Sequence, residues 1–443
     1  MATTDDLNQE KQFLLDKMEN TNENMFITGK AGTGKSYLLK HFLDTTKKNA
    51  VVLAPTGIAA LNVGGSTIHK FFGLKPQLQV PKKINKSVIY GERRDLFRKI
   101  DTLIIDEISM VRVDLLDTID YILRYANSTN EYFGGKQIIV FGDLYQLPPI
   151  LRKYTDESDY IFDHYGGKYF FYAPAFQDGN FKKYELQEIF RQSDDSFIEI
   201  LNHVRDGEVT EDDIASLNKK VTDNSSRSYK DDYITITTTN ANAEVVNRSM
   251  LGQINKDEHC YYSRVEGTFF HSDYPTEEAL VLKPGAHVMM LNNDADDRWV
   301  NGSLATVVKC GADTITVRIK ETGNTCIVES NEWKNVSYSY DREEHRIVTD
   351  VAGKFTQLPV KLAWAITIHK SQGQTYEKAE IDFGRGAFDC GQAYVALSRV
   401  KSLDGLILKR PIRPSDIMVD MQVKRYMNGE EEPQMLDGFR DII

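Results

Sequence analysis

Cysteine is scarce in this 443-residue chain. The four, Cys260, Cys310, Cys326 and Cys390, lie far apart, with no Cys-x-x-Cys or Cys/His ligand spacing. That excludes a disulfide framework or a zinc site and suits a reducing intracellular compartment. No apolar run is long enough to span a bilayer, and the polar start Met1-Ala2-Thr3-Thr4-Asp5-Asp6 is no secretory leader. No membrane partner is expected. Positive charge is lacking too: the formal net charge is −11, so any contact with nucleic acid must come from local basic surface. What is present is an ordinary globular mix, 41% hydrophobic and 27% charged, in a chain too long for one core. Two to four domains are expected.

The chain is organised around Gly29-Lys30-Ala31-Gly32-Thr33-Gly34-Lys35-Ser36. It follows the apolar run Met25-Phe26-Ile27 and opens a helical stretch from Tyr37 to Leu43. Strand, glycine loop and helix together are the context in which a phosphate-binding loop works. Backbone N–H groups of Gly32, Thr33 and Gly34 would cradle phosphates at the helix N-terminus. Lys35 would reach the β- and γ-phosphates, and the Ser36 hydroxyl would ligate Mg²⁺. The chain should bind a nucleoside triphosphate.

Further apolar runs, Val51–Leu53, Leu103–Ile105 and Ile138–Phe141, alternate with helical stretches, which predicts a parallel sheet covered on both faces. Ligands of such sheets collect at the carboxyl ends of the strands. Asp106 and Glu107 fall there, Asp106 as the Mg²⁺ partner and Glu107 as acceptor of a proton from the attacking water. Gln146, in Gly142-Asp143-Leu144-Tyr145-Gln146-Leu147-Pro148-Pro149, could sense the γ-phosphate, or simply hydrogen-bond its own loop. Between them, Leu115, Leu116, Ile119, Ile122 and Leu123 recur at helical spacing, predicting a helix packed on one side and capped by Asp114.

Residues 55–100 differ in character. From Lys75 to Lys99 eight basic residues face two acidic ones and interleave with Phe72, Tyr90 and Phe97. That suits a surface tracking single-stranded nucleic acid; it equally suits a solvated loop whose aromatics belong to the core. Further on, about 176–184 reads as a polar linker. A second alternating set follows, with strands at Tyr233–Ile236 and Ala379–Phe383. Short β segments separated by Gly and Asn/Asp turns, 251–354, interrupt it and predict an inserted small β-barrel. Arg191 and Arg399 are surface arginines by default. Facing a phosphate loop from a second domain, each could neutralise the charge developing on a γ-phosphate.

In this order the motifs resemble a superfamily 1B DNA helicase, nearest to the petite integration frequency (Pif) family, with RecD-like and Dda-like helicases as relatives. The resemblance runs from about residue 7 to 410. Ala54–Ala60 with Gly64–His69, Ile105–Met110 with the helix through Arg124, Phe141–Pro149, Leu186–Gln192, Ile366–Gly373 and Tyr394–Arg399 match its successive blocks.

The resemblance implies an α/β fold of two RecA-like P-loop NTPase domains, with a small β-barrel inserted in the second and a small β/loop insertion in the first. The first domain would be 1–184, with a DNA-contacting insertion at about 66–100. The second would be 185–250 with 355–443, and the barrel 251–354. It assigns Lys35, Ser36, Asp106, Glu107, Gln146, Arg191 and Arg399 to ATP hydrolysis, and brings Gly373 to the nucleotide. Thr56, Gly57, Thr67, His69, Pro148, Thr367, His369 and Lys370 would line the DNA track. The family's adenine-reading glutamine usually follows a Leu-x-x-Glu pattern. Here Leu7-Asn8-Gln9-Glu10 is followed by Lys11, so the role falls to Gln12. The β-domain turn Asn301-Gly302-Ser303-Leu304 leads to Ala305 where the family has glycine.

The implied activity is ATP- and Mg²⁺-dependent 5′-to-3′ translocation on single-stranded DNA, with unwinding of duplex or forked DNA. G-quadruplexes and RNA–DNA hybrids are further candidate substrates, in replication, recombination, repair or telomere maintenance. A monomer is expected, intracellular: cytoplasmic at the nucleoid if the source is bacterial, with a nuclear or mitochondrial place less expected given its minimal termini. Two rivals stand beside this reading: a nucleotide-gated DNA-binding clamp and an RNA-directed helicase.

Overall fold

The computed structural model describes residues 7–190, 194–222, 227–231, 233–341 and 346–430. The chain divides into two compact units, Met1–Phe190 with Val336–Asp350 and Met421–Ile443, and Arg191–Asn335 with Val351–Asp420.

The first unit is built on six strands, β1 (Met25–Gly29), β2 (Ala50–Ala54), β3 (Ser66–Thr67), β4 (Thr102–Ile105), β5 (Gln137–Phe141) and β6 (Lys182–Leu186). Their spatial order is β3-β2-β4-β5-β1-β6, and every pairing is parallel. Every residue of β1, β4 and β5 is buried, which is why these strands read as unbroken apolar runs. On the sheet lie α1 (Gln9–Asn20), through Leu14, Leu15 and Met18, and α2 (Lys35–Thr45), through Leu38, Leu39 and Phe42. Asn8 caps α1 by accepting from the Lys11 amide at 3.0 Å.

Three expectations for this unit change. The supposed linker at 176–184 ends in β6, which pairs with β1 along its whole length. The 66–100 insertion has only β3 in extended form. The rest is loops and short helices, including α4 (Ile68–Phe72) and α5 (Glu92–Lys99), after α3 (Gly57–Asn62). Of its aromatics, Phe72 and Phe97 are core residues with ring centroids 5.3 Å apart and planes tilted by 31°, whereas Tyr90 is exposed. The helix expected to pack on one side, α6 (Val113–Asn127), has no fully exposed residue.

The reason lies in how α6 handles its acids. Asp114 is not the cap: Arg112 holds that position. The wholly buried Asp114 carboxylate instead accepts from the Arg112 guanidinium at 2.5 and 2.8 Å and from the Gln79 amide at 2.7 Å. Asp117 accepts from the Tyr165 hydroxyl at 2.8 Å, and Asp120 accepts from the Phe133 amide at 2.5 Å and forms an ion pair with Arg124 at 2.8 Å. Each buried carboxylate has the partner its desolvation demands, so the helix can be enclosed.

The second unit contains a four-stranded parallel sheet ordered Ala365–Thr367, Ile234–Thr237, Ala379–Asp382, Leu406–Leu408. It also contains an antiparallel five-stranded sheet ordered Thr325–Val328, Ile315–Ile319, Leu304–Cys310, His287–Met290, Val360–Leu362. A ribbon of Ala279–Leu282 and His259–Tyr262 shares one core with that sheet: Tyr261, Leu280 and Leu282 pack with Val288, Ala305 and Val317.

Candidate nucleotide and nucleic-acid sites

In the first unit the phosphate loop joins β1 to α2. Gly32 and Gly34 take φ of +86° and +87°, a left-handed backbone that side chains with a Cβ rarely adopt. Gly29 is needed for space, since a Cβ there would stand 2.8 Å from Thr33 Oγ1 and 2.9 Å from the Leu186 carbonyl. Thr33 is buried and donates to the Lys30 carbonyl at 3.0 Å. The Lys35 ammonium lies over the same loop, donating to the carbonyls of Gly29 at 2.6 Å and Lys30 at 3.1 Å. Ser36 is exposed in the first turn of α2.

Asp106 ends β4 as a buried carboxylate that accepts from the Glu107 amide at 2.9 Å. Burial pushes its carboxyl up to about 6, against the Glu107 amide and the Lys35 charge, which favour the anion. A hydroxyl, a carboxylate and phosphate oxygens form the hard-oxygen donor set that Mg²⁺ prefers, so the residues present fit that ion. Glu107 follows in left-handed conformation (φ +51°, ψ +45°), a strained geometry for a residue with a Cβ. Gln146 is buried after β5 and donates to Asp143 Oδ2 at 3.3 Å. Lys35, Ser36, Asp106, Glu107 and Gln146 thus all follow carboxyl ends of β1, β4 and β5, three adjacent strands. Gln12 is exposed on α1, whereas its neighbour Lys11 is buried.

The residues expected along a DNA track form a repeated local device. Thr56, after β2, caps α3 by accepting from the Ala59 amide at 3.2 Å, with Gly57 beside it. Thr67, in β3, caps α4 by accepting from the Lys70 amide at 3.3 Å. In the second unit Thr367 caps Ile368–Ser371 in the same way, at 3.3 Å, leaving His369 and Lys370 exposed. His69 is half-buried and desolvation lowers its pKa, which favours the neutral ring. Pro148 is buried in the loop after β5.

Also in the second unit, Arg399 is one of the largest fully buried side chains. Its guanidinium donates to the carbonyls of Val395 at 2.7 Å, Ser371 at 3.2 Å and Gln374 at 3.3 Å, and to Ser398 Oγ at 2.6 Å. Gly373 lies in that bonded segment with φ +80°, and a Cβ there would meet nothing within 4 Å. Arg191 lies outside the described residues.

A left-handed glycine loop between strand and helix, its lysine, and an acidic strand end beside it define a P-loop nucleoside triphosphatase. The family model for PIF1-like helicases matches residues 6–215. The ATP-dependent DNA helicase Pif1 of Bdellovibrio bacteriovorus is 35% identical over 429 residues, covering 95% of this chain and 91% of its own. The ATP-dependent DNA helicase PIF1 of Xenopus laevis is 33% identical over 395 residues, 86% of this chain, which spans 58% of that protein. Among solved structures, Bacteroides sp Pif1 in complex with ADP-AlF4 matches with a TM-score of 0.89 at 38% identity over 96% of both chains. Bacteroides Pif1 bound to ssDNA matches at 0.69, also 38% identical over 96% of both. The chain belongs to the PIF1-like helicase family.

Proposed function

We propose that this chain is an ATP-dependent DNA helicase that moves 5′ to 3′ on single-stranded DNA and parts the duplex ahead of it. The observation that carries the reading is the Lys35–Asp106–Glu107–Gln146 cluster, in a chain similar over nearly its whole length to proteins named ATP-dependent DNA helicases. In hydrolysis Lys35 and the loop amides hold the β- and γ-phosphates. Glu107 takes the proton of the attacking water, and Gln146 orients that water. Ser36 and Asp106 would hold Mg²⁺, which neutralises charge on the phosphate oxygens when bound. Arg191 and Arg399 are assigned to the charge that develops on the transferred phosphoryl group, Gly373 to approach of the nucleotide, and Gln12 to the adenine side of the site.

In this reading residues 1–184, extended to the end of β6 at Leu186, form one RecA-like domain and the rest of 185–250 with 355–443 another, each on its parallel sheet. Residues 251–354 form a small β-barrel, supported by the core that the ribbon and the five-stranded sheet share. The DNA backbone is held at Thr56, Gly57, Thr67, His69 and Pro148 in one unit and at Thr367, His369 and Lys370 in the other. Threonine hydroxyls and backbone amides at strand ends suit sugar–phosphate contacts. Forks, G-quadruplexes and RNA–DNA hybrids are substrates of the same grip, in replication, recombination, repair and telomere maintenance. The protein acts as a monomer inside the cell, which fits four cysteines carrying free thiols.

The test is strand separation of duplexes bearing a 5′ or a 3′ single-stranded tail, with Lys35→Ala as control. Opening of the 5′-tailed duplex alone, lost in the variant, is the expected result. Opening of the 3′-tailed duplex alone would reverse the polarity, and DNA binding without opening would leave a nucleotide-gated clamp.

A further inference from the structure

Lys361 lies in the strand Val360–Leu362, in register with Met289 of the strand His287–Met290. Val360 and Leu362, on either side of it, pack into the core of that five-stranded sheet, so strand alternation turns Lys361 to the opposite face. There it lines a cleft of about 760 Å³ together with the helix Asn240–Gly252, the segment 274–279 and the residues Thr367 and Lys370. Lys361 is partly buried. Among the described residues its ammonium donates no hydrogen bond and pairs with no carboxylate. Burial and the like charge of Lys370 lower its pKa to about 8. The acids of the cleft are engaged elsewhere. Glu244 pairs with Arg248 and Glu258 with Lys283, while Glu277 and Glu278 are exposed, Glu277 under the charges of Lys370 and Arg248.

A desolvated cation without a partner destabilises a fold, and a second cation beside it adds to the cost. An anion arriving from outside accounts for such a side chain. Thr367 and Lys370, in the same cleft, are assigned to the hold of this unit on the DNA backbone, so the anion at hand is a phosphate of the strand. The cleft is as large as a small-ligand pocket, ~300–1,000 Å³, and has room for a sugar and phosphate around the amine. We infer that the single strand dips into this cleft and that Lys361 is a further contact to its backbone phosphate, beside Lys370. Such a contact is electrostatic and reads no base. Lys361 thus serves binding while weakening the empty fold. The inference rests on the DNA role of Thr367 and Lys370.

The experiment is equilibrium binding of fluorescent oligo(dT) to the full chain over a range of salt concentrations, in wild type, Lys361→Met and Lys361→Arg. Lys361→Met should bind roughly five- to tenfold more weakly at about 50 mM salt, and the slope of log Kd against log salt should be shallower by about 0.7, the share of one phosphate on a single strand. Without DNA the same variant should unfold at a higher temperature than the wild type, because the uncompensated charge is gone. Weaker binding together with a more stable fold is a pair of signs that a purely structural lysine does not give. Lys361→Arg, which keeps the charge, should recover most of the affinity and of the slope. Unchanged affinity and slope in Lys361→Met would overturn the inference, as would weaker binding with an unchanged slope or a lower thermal midpoint. In the wild type alone, bound oligo(dT) should slow acetylation of the Lys361 amine by acetic anhydride, read by peptide mass, and equal rates would also overturn it. Loss of affinity in Lys370→Ala but not in Lys361→Met would sink this inference alone, whereas a wild type that does not bind oligo(dT) would sink the DNA reading with it.

Discussion

The guanidinium of Arg399 donates to the backbone carbonyl of Ser371, 28 residues upstream, at 3.2 Å, and holds the turn containing Gly373 in the same grasp. The proposed role of Arg399 toward a phosphoryl group and its observed bonds within its own unit can be separated. Arg399→Ala should lower DNA-stimulated ATP turnover by roughly 10³-fold or more. It should also lower the thermal midpoint, because it removes a buried group that satisfies several backbone carbonyls. Arg399→Lys keeps the charge but not the planar fork, so it should suffer both losses in smaller measure. Near-normal turnover per folded molecule in either variant would leave only the structural duty.

Glu107 pays for its place in backbone strain. Its φ of +51° is open to glycine at little cost. Glu107→Gly should therefore abolish turnover yet unfold at a higher temperature than Glu107→Ala, by roughly 0.5–1 kcal/mol. Calorimetry of the two variants beside the parent checks this. An equal midpoint for the two would mean that the turn relaxes once the carboxylate is gone.

The Asp117–Tyr165 pair gives stability a pH signature. Burial raises the Asp117 carboxyl to about 6, with the Tyr165 hydroxyl pulling the other way, while the ordinary value is 3.8. The folded chain then binds more protons than the unfolded one between these values. Stability from this group falls as pH rises from about 4 to about 6 and stays low above it, by at most about 3 kcal/mol. Asp117→Asn should be more stable than the parent at pH 7, and the advantage should shrink as the pH drops toward 4.5. Urea unfolding across that range measures it, and a pH-independent difference would contradict the sign.

Near the end of the chain, the helix Met421–Asn428 belongs to the first unit. The Tyr426 ring stacks on Phe171 with centroids 4.1 Å apart and planes 1° from parallel, and Lys183 donates to the Met427 carbonyl at 2.9 Å. Tyr426→Ala should cost about 1–3 kcal/mol, since the lost ring is only partly buried. Nucleotide binding at the P-loop should survive. Loss of that binding in soluble, folded Tyr426→Ala would show that the helix also supports the site.

How far the sequence could be read depended on where each residue's partner lay. The phosphate loop and the strands β1, β2, β4 and β5 are legible because glycine geometry and fully buried strands leave local signatures. Strand β6 was missed because it is an edge: Lys182 and Lys183 are exposed, so the stretch carries no apolar run. Helix α6 looked one-sided because the partners of its acids, Gln79, Phe133 and Tyr165, are distant in sequence. Of the neighbours Lys11 and Gln12, Lys11 is buried and Gln12 exposed. Which of two neighbours turns inward depends on the phase of α1, which Asn8 sets by capping it. The carbonyls around Arg399 have no sequence signature at all, since any residue provides them.

The Phe171–Tyr426 stack has a consequence for how the protein is made. A ribosome adds ~5–20 residues each second, so about 250 residues, or roughly 10–50 s, separate the two rings at birth. Throughout that interval the aromatic surface around Phe171 waits uncovered while the whole second unit is synthesised. The first unit thus cannot complete this contact until its closing helix has been made.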